Sequence, residues 1–463
     1  MSTISLVSND GDVRMAYARD ASGLEMVPDA VARPSTSVEV QELLREAWAD
    51  RLLVTPAGAQ SSTTAASITD KGLLLSLRAL ATIGEVDTVE RTVHVGAGAL
   101  VADVRRAAEH AGLLFTPDPT SEEESTIGGA IACNASGARS LRYGATRPYV
   151  RALTVLLANG ETLSLRRPDL EKNTVGYPMA HDPVDWFIGS EGTLGVVVDA
   201  ELSLLPLPER TIGLVVPFAS ESDALAFVVA ARRSRAVFPR CLEFFDARAM
   251  TIAREAEGTT GWATHATAMV YVEETGADSA RANDDELPLD EWLSLAEAHA
   301  ASTNDIRVYD SPSALRDARR IRHAIPATMN ERGAAFRAAG GRKVSTDWAV
   351  PYPRLHDALR RARAIADAHG VEQAVIYGHA GNGHPHQNFI ARDAEELRRI
   401  EAVVEETLRE VLGMGGTVAA EHGIGKLKRR WLPMQATPLQ LRMMRAIKSE
   451  LDPFGMLAPG NVL

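Results

Sequence analysis

The sequence predicts an α+β protein of about two or three domains, and three observations carry that reading. Its 463 residues exceed what one ordinary core holds. Apolar residues at 45% and charged residues at 24% are the proportions of a globular chain. From about Val31 to Pro208, short β-like runs alternate with helical stretches, and a mixed region then extends to about Ala420.

The first region contains the β-like runs LLVTPA, LLLSL, TVHVGAG, ALTVLLANG, TLSLRR and LGVVVDAELSLL. Between them lie stretches such as TSVEVQELLREAWAD, a helix that Thr36 or Ser37 can cap. This alternation indicates an α/β domain, and LLPLPER, with Pro206 and Pro208, marks its boundary. The next region mixes the helices SALRDARRIRHAI and YPRLHDALRRARAIADAHG with the strands TAMVYVEE and QAVIY; the glycine of AHG stops the second helix. The run ADSARANDDELPLD at 277–290 reads as a solvated loop. Residues 421–463 hold EHGIGKLKRRWL, a helix and the tail LDPFGMLAPGNVL.

Composition excludes several function classes. With 49 basic against 61 acidic residues the net charge is −12, which disfavours a general attraction to nucleic acid or anionic lipid. An anionic substrate would need a local basic pocket. No apolar run approaches the roughly 18–20 residues of a membrane span, and MSTISLVSND lacks the blocks of a signal peptide, so a cytoplasmic protein is expected. Cys133 and Cys241 form no CxxC site and are expected to be buried packing residues.

Three small-residue stretches suit a large dinucleotide. In TPAGAQSSTTAAS (55–67) a ligand can approach the backbone while Ser61, Ser62, Thr63 and Thr64 donate hydrogen bonds. STIGGAIACNASGARSLRYG (125–144) offers a backbone that can lie against a flat ring system, and GSEGTLGVVVDA (189–200) adds three glycines before a strand. The first stretch alone is more commonly a polar loop after a strand, and it matches neither GxGxxG nor GxxxxGK[ST]. Separately, YGHAGNGHPHQN crowds His379, His384 and His386 into one glycine-broken stretch of a chain with 12 histidines. The seven-residue separation of His379 and His386 would put their rings on opposite faces of an unbroken strand, an objection that a turn at AGNG removes. In an extended HPH, His384 and His386 point to the same side, so local geometry alone selects that pair.

PSTSVEV, the loop at 56–66, PDPTSEEESTIGGAIACNASGARSLRYGATRPYV, GSEGTLGVV and LDPFGMLAPG together resemble the FAD-binding domain of the vanillyl-alcohol oxidase / p-cresol methylhydroxylase superfamily. The C-terminal half resembles its branch of D-2-hydroxyacid dehydrogenases, which includes D-lactate dehydrogenase, D-2-hydroxyglutarate dehydrogenase and the glycolate oxidase flavin subunit. The likeness runs from about residue 30 to 463 and is thin over 210–310. It implies a two-part FAD-binding α/β domain at 1–208, an α+β substrate (cap) domain with metal-binding histidines at 209–420, and a return segment at 421–463 that completes the active site and packs on the FAD domain. Non-covalent FAD is implied at Gly58, Ala59, Ser61, Ser62 and Thr63; at Pro117, Asp118, Thr126, Gly128, Gly129, Asn134, Ser136, Gly137 and Tyr143; and at Glu191, Gly192, Gly195 and Val196. The first loop holds no histidine for covalent attachment. Two departures stand out: PAGAQS replaces a more glycine-rich PRGGGT, adding the Ala59 and Gln60 side chains, and Ala458 stands where asparagine is common.

The resemblance also implies a chemistry. Sequences of this branch read like GHxGDGNxHxN, which makes His379, His386 and Glu421 ligands of a divalent metal, zinc or manganese. His384 takes the place of the usual asparagine and would lie beside the metal or at the substrate. His422 of EHG would be the base in oxidation of a D-2-hydroxy acid to the 2-keto acid, with hydride passing from C2 to flavin N5. Of Arg319, Arg320 and Arg322, the likeness favours Arg322 as the carboxylate clamp, with Lys343 as a second basic contact and Asn388 as a polar one. The expected partners are a small-molecule 2-hydroxy acid and a separate electron acceptor: a quinone, an electron-transfer flavoprotein, a cytochrome or an iron–sulfur protein. The acceptor could hold the protein at a membrane, and a homodimer is compatible with the branch. Two other functions stay open: a non-redox flavin-dependent transferase of the alkyl-dihydroxyacetonephosphate synthase type, against which EHG and HxN argue, and a flavin-free metal-binding relative.

Overall fold

The computed structural model describes residues 6–177, 181–275 and 287–463. The acidic run 277–290 falls largely outside them, and its last two residues begin the helix Leu289–Ala298. Backbone contacts divide the chain into two units: residues up to Gly137 with Gly144–Leu207 and Glu421–Leu463, and Ala138–Tyr143 with Pro208–Ala420.

The first unit contains two four-stranded sheets. In one, Ala30–Ala32, Leu73–Ser76 and Val54–Ala57 run parallel. In the other, Thr92–Gly96, Val196–Ser203, Val150–Leu156 and Thr162–Arg166 run antiparallel. The helix Ser37–Asp50 begins where the sequence places it, at Thr36, whose hydroxyl and Glu39 form a reciprocal capping box. The helix buries Val40, Leu43, Leu44 and Ala47 against Val54, Leu75 and Val198. The tail returns to the parallel sheet: Val54 N–H donates to Met456 O at 2.9 Å and Ala458 N–H to Val54 O at 2.8 Å. Ala458 has φ +46°, a left-handed conformation that asparagine adopts more readily, so the asparagine common at this position has a backbone explanation.

The second unit is built on a seven-stranded sheet in the order Arg307–Tyr309, Thr211–Phe218, Ala268–Thr275, Pro239–Asp246, Val375–His379, His384–Asp393 and Gly340–Ser345. Every pairing in it is antiparallel. Ala268–Thr275 is buried along its whole length. The long helix Pro312–Ala334, capped by Ser311, buries Leu315, Ala318, Ile321, Arg322, Ile325 and Met329. Leu355–Ala368 ends where AHG predicts, with Gly370 left-handed at φ +61°. One expectation needs correcting: Cys241 is buried, but Cys133 is only partly so. Desolvation and the charge of Glu191 push the Cys133 thiol to about 12, which keeps it protonated and unreactive.

Candidate active site

The histidine stretch folds as a hairpin in the second unit. Val375–His379 runs into a single helical turn, Ala380–Asn382, and returns as His384–Asp393. The AGNG turn therefore does what the spacing required. Register places His379 opposite His384 and Tyr377 opposite His386. All three imidazoles are buried. Their centroids lie 5.4 Å apart for His379 and His384, 5.3 Å for His379 and His386, and 4.5 Å for His384 and His386. Each offers a ring nitrogen within 4.8 Å of those of the other two.

Two acids that sequence reasoning missed contact these rings. Glu243, on Pro239–Asp246, has a side chain with no exposed surface and lies 2.6 Å from His379 Nδ1. Arg322 Nε donates to its other oxygen, also at 2.6 Å. Burial alone would raise the Glu243 carboxyl, but the facing charges of His379 and Arg322 outweigh it and hold the group at about 2. A carboxylate on Nδ1 fixes the ring, the arrangement common behind metal-ligating histidines. His384 instead sets Nε2 3.2 Å from Asp347 Oδ1. Both contacts are of the kind that orients a metal-ligating ring, so they do not choose between His379 and His384. The sequence signal for either acid is weak: a carboxylate beside apolar residues, in CLEFFD and STDWAV.

The predicted substrate contacts separate clearly. Arg322 Nη2 approaches His379 Nε2 to 3.4 Å. Arg319 instead joins Arg139 and Arg240 on the buried Glu273, and Arg320 pairs with Asp317 at the surface. Lys343, on Gly340–Ser345, is brought down to about 8 by desolvation. Asn388 is buried; its amide donates to His386 O at 3.2 Å, while Oδ1 has no hydrogen-bond partner among the described residues. An orphaned acceptor beside the imidazoles suits a polar ligand.

In the first unit the three small-residue loops pack on one another. Gly58 abuts Thr126 so closely that a Cβ would collide with the threonine hydroxyl, which also caps Gly129 N at 3.2 Å. Gly128 lies against Ala97, Gly137 against Asp118 and Gly195 against Val155, ahead of the strand that begins at Val196. Gly189 N and Glu191 N donate to Ile131 O and Ala132 O, while Gly192, left-handed, packs on Pro56. Asn134, also left-handed, accepts from Arg147 N. Pro117 follows the buried Thr116, and Tyr143 belongs with the second unit.

The loop hydroxyls divide in their use. Ser62 bonds within its own loop, Ser61 and Ala59 are partly buried, and Thr63 is exposed. Gln60, the conspicuous departure, turns its amide to Tyr17 O at 2.8 Å and Ser67 O at 3.2 Å, so its side chain does not fill the loop. Thr55, Thr116 and Ser125 are buried hydroxyls with no hydrogen-bond partner among the described residues. Close-approach glycines and spare donors together fit a flavin dinucleotide.

The EHG segment also belongs to the first unit. Ser136 donates to Glu421 Oε1 at 3.0 Å, and His422 Nε2 lies 4.0 Å from Glu421 Oε2. Thr64 Oγ1 donates to His422 O at 3.4 Å, and the Glu191 carboxylate accepts from Ile424 N and Gly425 N at 2.6 and 2.7 Å.

Comparison with known proteins gives this geometry its context. Residues 28–166 match the FAD binding domain family, and residues 207–462 match the family described as FAD linked oxidases, C-terminal domain. The chain is 31% identical to the glycolate oxidase subunit GlcD of Bacillus subtilis, over 98% of this chain and 93% of that protein. It is 30% identical to a D-lactate dehydrogenase of Archaeoglobus fulgidus, over 94% of this chain and 91% of that protein. A solved structure of alkyldihydroxyacetonephosphate synthase matches with a TM-score of 0.72 at 17% identity, covering 98% of this chain and 83% of that one, a likeness of fold.

Proposed function

The chain belongs to the FAD-linked oxidases and is a flavin-dependent oxidoreductase; from that premise we propose that it oxidises a D-2-hydroxy acid to the 2-keto acid. In this reading His379, His386 and Glu421 hold zinc or manganese, and His422 is the base. The observation that carries it is the buried hairpin: three imidazoles converge, and Glu243 orients one of them from behind. Two imidazoles and a carboxylate suit either metal and leave coordination positions open. When bound, the metal polarises the substrate's C2 hydroxyl and the flavin accepts the two electrons.

The chain's own residues do the rest. Arg322, its Nε edge gripped by Glu243, presents a planar fork to the substrate carboxylate. Lys343 adds a positive charge in a protein whose net charge is negative, and Asn388 Oδ1 offers an acceptor. His422, an imidazole suited to general base work, takes the hydroxyl proton. The relatives named for glycolate and D-lactate support a short 2-hydroxy acid as substrate. Purified protein should be yellow and should reduce an artificial electron acceptor with D- but not L-2-hydroxy acids. Chelation should stop turnover without removing the flavin. A protein that stays colourless after incubation with FAD, or full activity in a metal-free preparation, would refute the corresponding half of the proposal.

A further inference from the structure

A base works only if its ring is held to within about half an ångström of the productive position. Yet residues 421–425 belong to no helix or strand, and two of them, Gly423 and Gly425, are left-handed at φ +74° and +52°. Such a segment would wander if nothing held it. Glu191 grips it at its centre. The successive amides of Ile424 and Gly425 converge on its carboxylate at 2.6 and 2.7 Å, the arrangement of a backbone anion nest. Burial pushes the Glu191 carboxyl above its ordinary range, while these two N–H groups and the charges of Lys428 and Lys426 pull it back. The fit leaves no slack: a Cβ on Gly423 would sit 2.7 Å from Glu191 Oε1.

Glu191 is itself fixed. It is 6% exposed, its N–H donates to Ala132 O at 2.8 Å, and its carbonyl accepts from Asn461 Nδ2 at 3.2 Å. Its backbone is left-handed at φ +52°, a conformation that a glutamate adopts at a cost and that persists where surroundings over-determine it. Lys428 Nζ also donates to Gly423 O at 3.0 Å. We infer that Glu191 is a positioning residue: its carboxylate sets the 421–425 turn and through it the ring of His422, an inference that rests on the base role proposed above. The main-chain N–H and carbonyl of Glu191 are committed to Ala132 and Asn461, and its side chain to the turn that carries the base.

The test is a double-mutant cycle of Glu191→Gln and His422→Ala, read by stopped-flow flavin reduction. Amide hydrogen exchange of the 421–428 peptide is measured in parallel. Glutamine keeps the shape but turns an N–H donor toward an amide donor. In wild-type background Glu191→Gln should keep the flavin and the substrate affinity, slow reduction about 10²-fold, the effect of a misplacement of about 1 Å, and speed exchange at Ile424 and Gly425. In His422→Ala background the further loss should be much smaller, because the base it positions is gone and only Glu421 on the same turn is left to be displaced. An equal loss in both backgrounds, a near-normal rate, or unchanged exchange would each overturn the inference. If Glu191→Gln does not fold, Glu191→Asp, which keeps the charge at shorter reach, takes its place under the same criteria. A near-normal rate in His422→Ala alone would remove the base role, and the exchange data would then still judge whether Glu191 holds the turn.

Discussion

The two units meet their chemistry by opposite means. In the first, binding surfaces are made by what side chains lack: Gly58, Gly128 and Gly137 bring backbone against neighbours so closely that a single Cβ would collide. In the second, they are made by what side chains carry: three imidazoles, Glu243 and Lys343 on strands of one sheet, Arg322 on the helix Pro312–Ala334, and Asp347 just past the strand Gly340–Ser345. A surface of small residues tolerates changes of polarity and resists changes of volume. A buried charge network does the reverse, since removing one partner strands the other.

Five variants sharpen or break that contrast, with flavin content measured in each. His379→Ala should have the largest effect, abolishing metal binding and turnover while visible absorbance stays that of bound flavin; metal retained by the variant would break the assignment. Next, His422→Ala should stay yellow and metal-loaded but reduce its flavin roughly 10²- to 10⁴-fold more slowly, the usual contribution of a positioned base. Glu243→Gln conserves volume and removes charge, so metal affinity should fall about 10- to 100-fold by titration, with the flavin unaffected. Gly58→Val tests the other unit: overpacking of about 1–3 kcal/mol should weaken FAD by roughly 5- to 150-fold in a reconstitution assay, with little change in metal content. The smallest change is expected of His384→Asn, which should keep its metal and alter activity only a few-fold. Loss of metal there, with retention in His379→Ala, would show that HPH supplies the ligand pair.

Sequence reasoning reached what is local. The Thr36 cap, the strands on either side of the AGNG turn and the glycine stop at AHG are each written within a few residues, and the helices and strands form there. It also reached the small-residue loops, because a run of glycine and alanine is itself a local signal. The partners of the imidazoles were out of reach: Glu243 lies 136 residues from His379 in the chain, and pairing across a sheet depends on a register that no short stretch encodes. Gln60 shows the converse: the sequence adds a side chain to the loop, and only the fold shows its amide turned to the carbonyls of Tyr17 and Ser67. Glu191 was noticed for its neighbours in GSEGTLG, and the direction of its carboxylate became visible only with the fold.

The return of the tail to Val54 has a consequence for synthesis. The parallel sheet of the first unit is bridged at Val54 by Leu457, some four hundred residues downstream. At about 5–20 residues per second, a ribosome takes roughly 20–80 s to deliver that segment, and until then the edge at Val54 stays open. The second unit has all of its residues in hand earlier, since its last is Ala420. The nascent protein therefore holds every residue of its second unit while the first still carries an open strand edge, the feature on which unwanted pairing starts. Any chaperone dependence of this chain should fall in that interval, ahead of flavin loading.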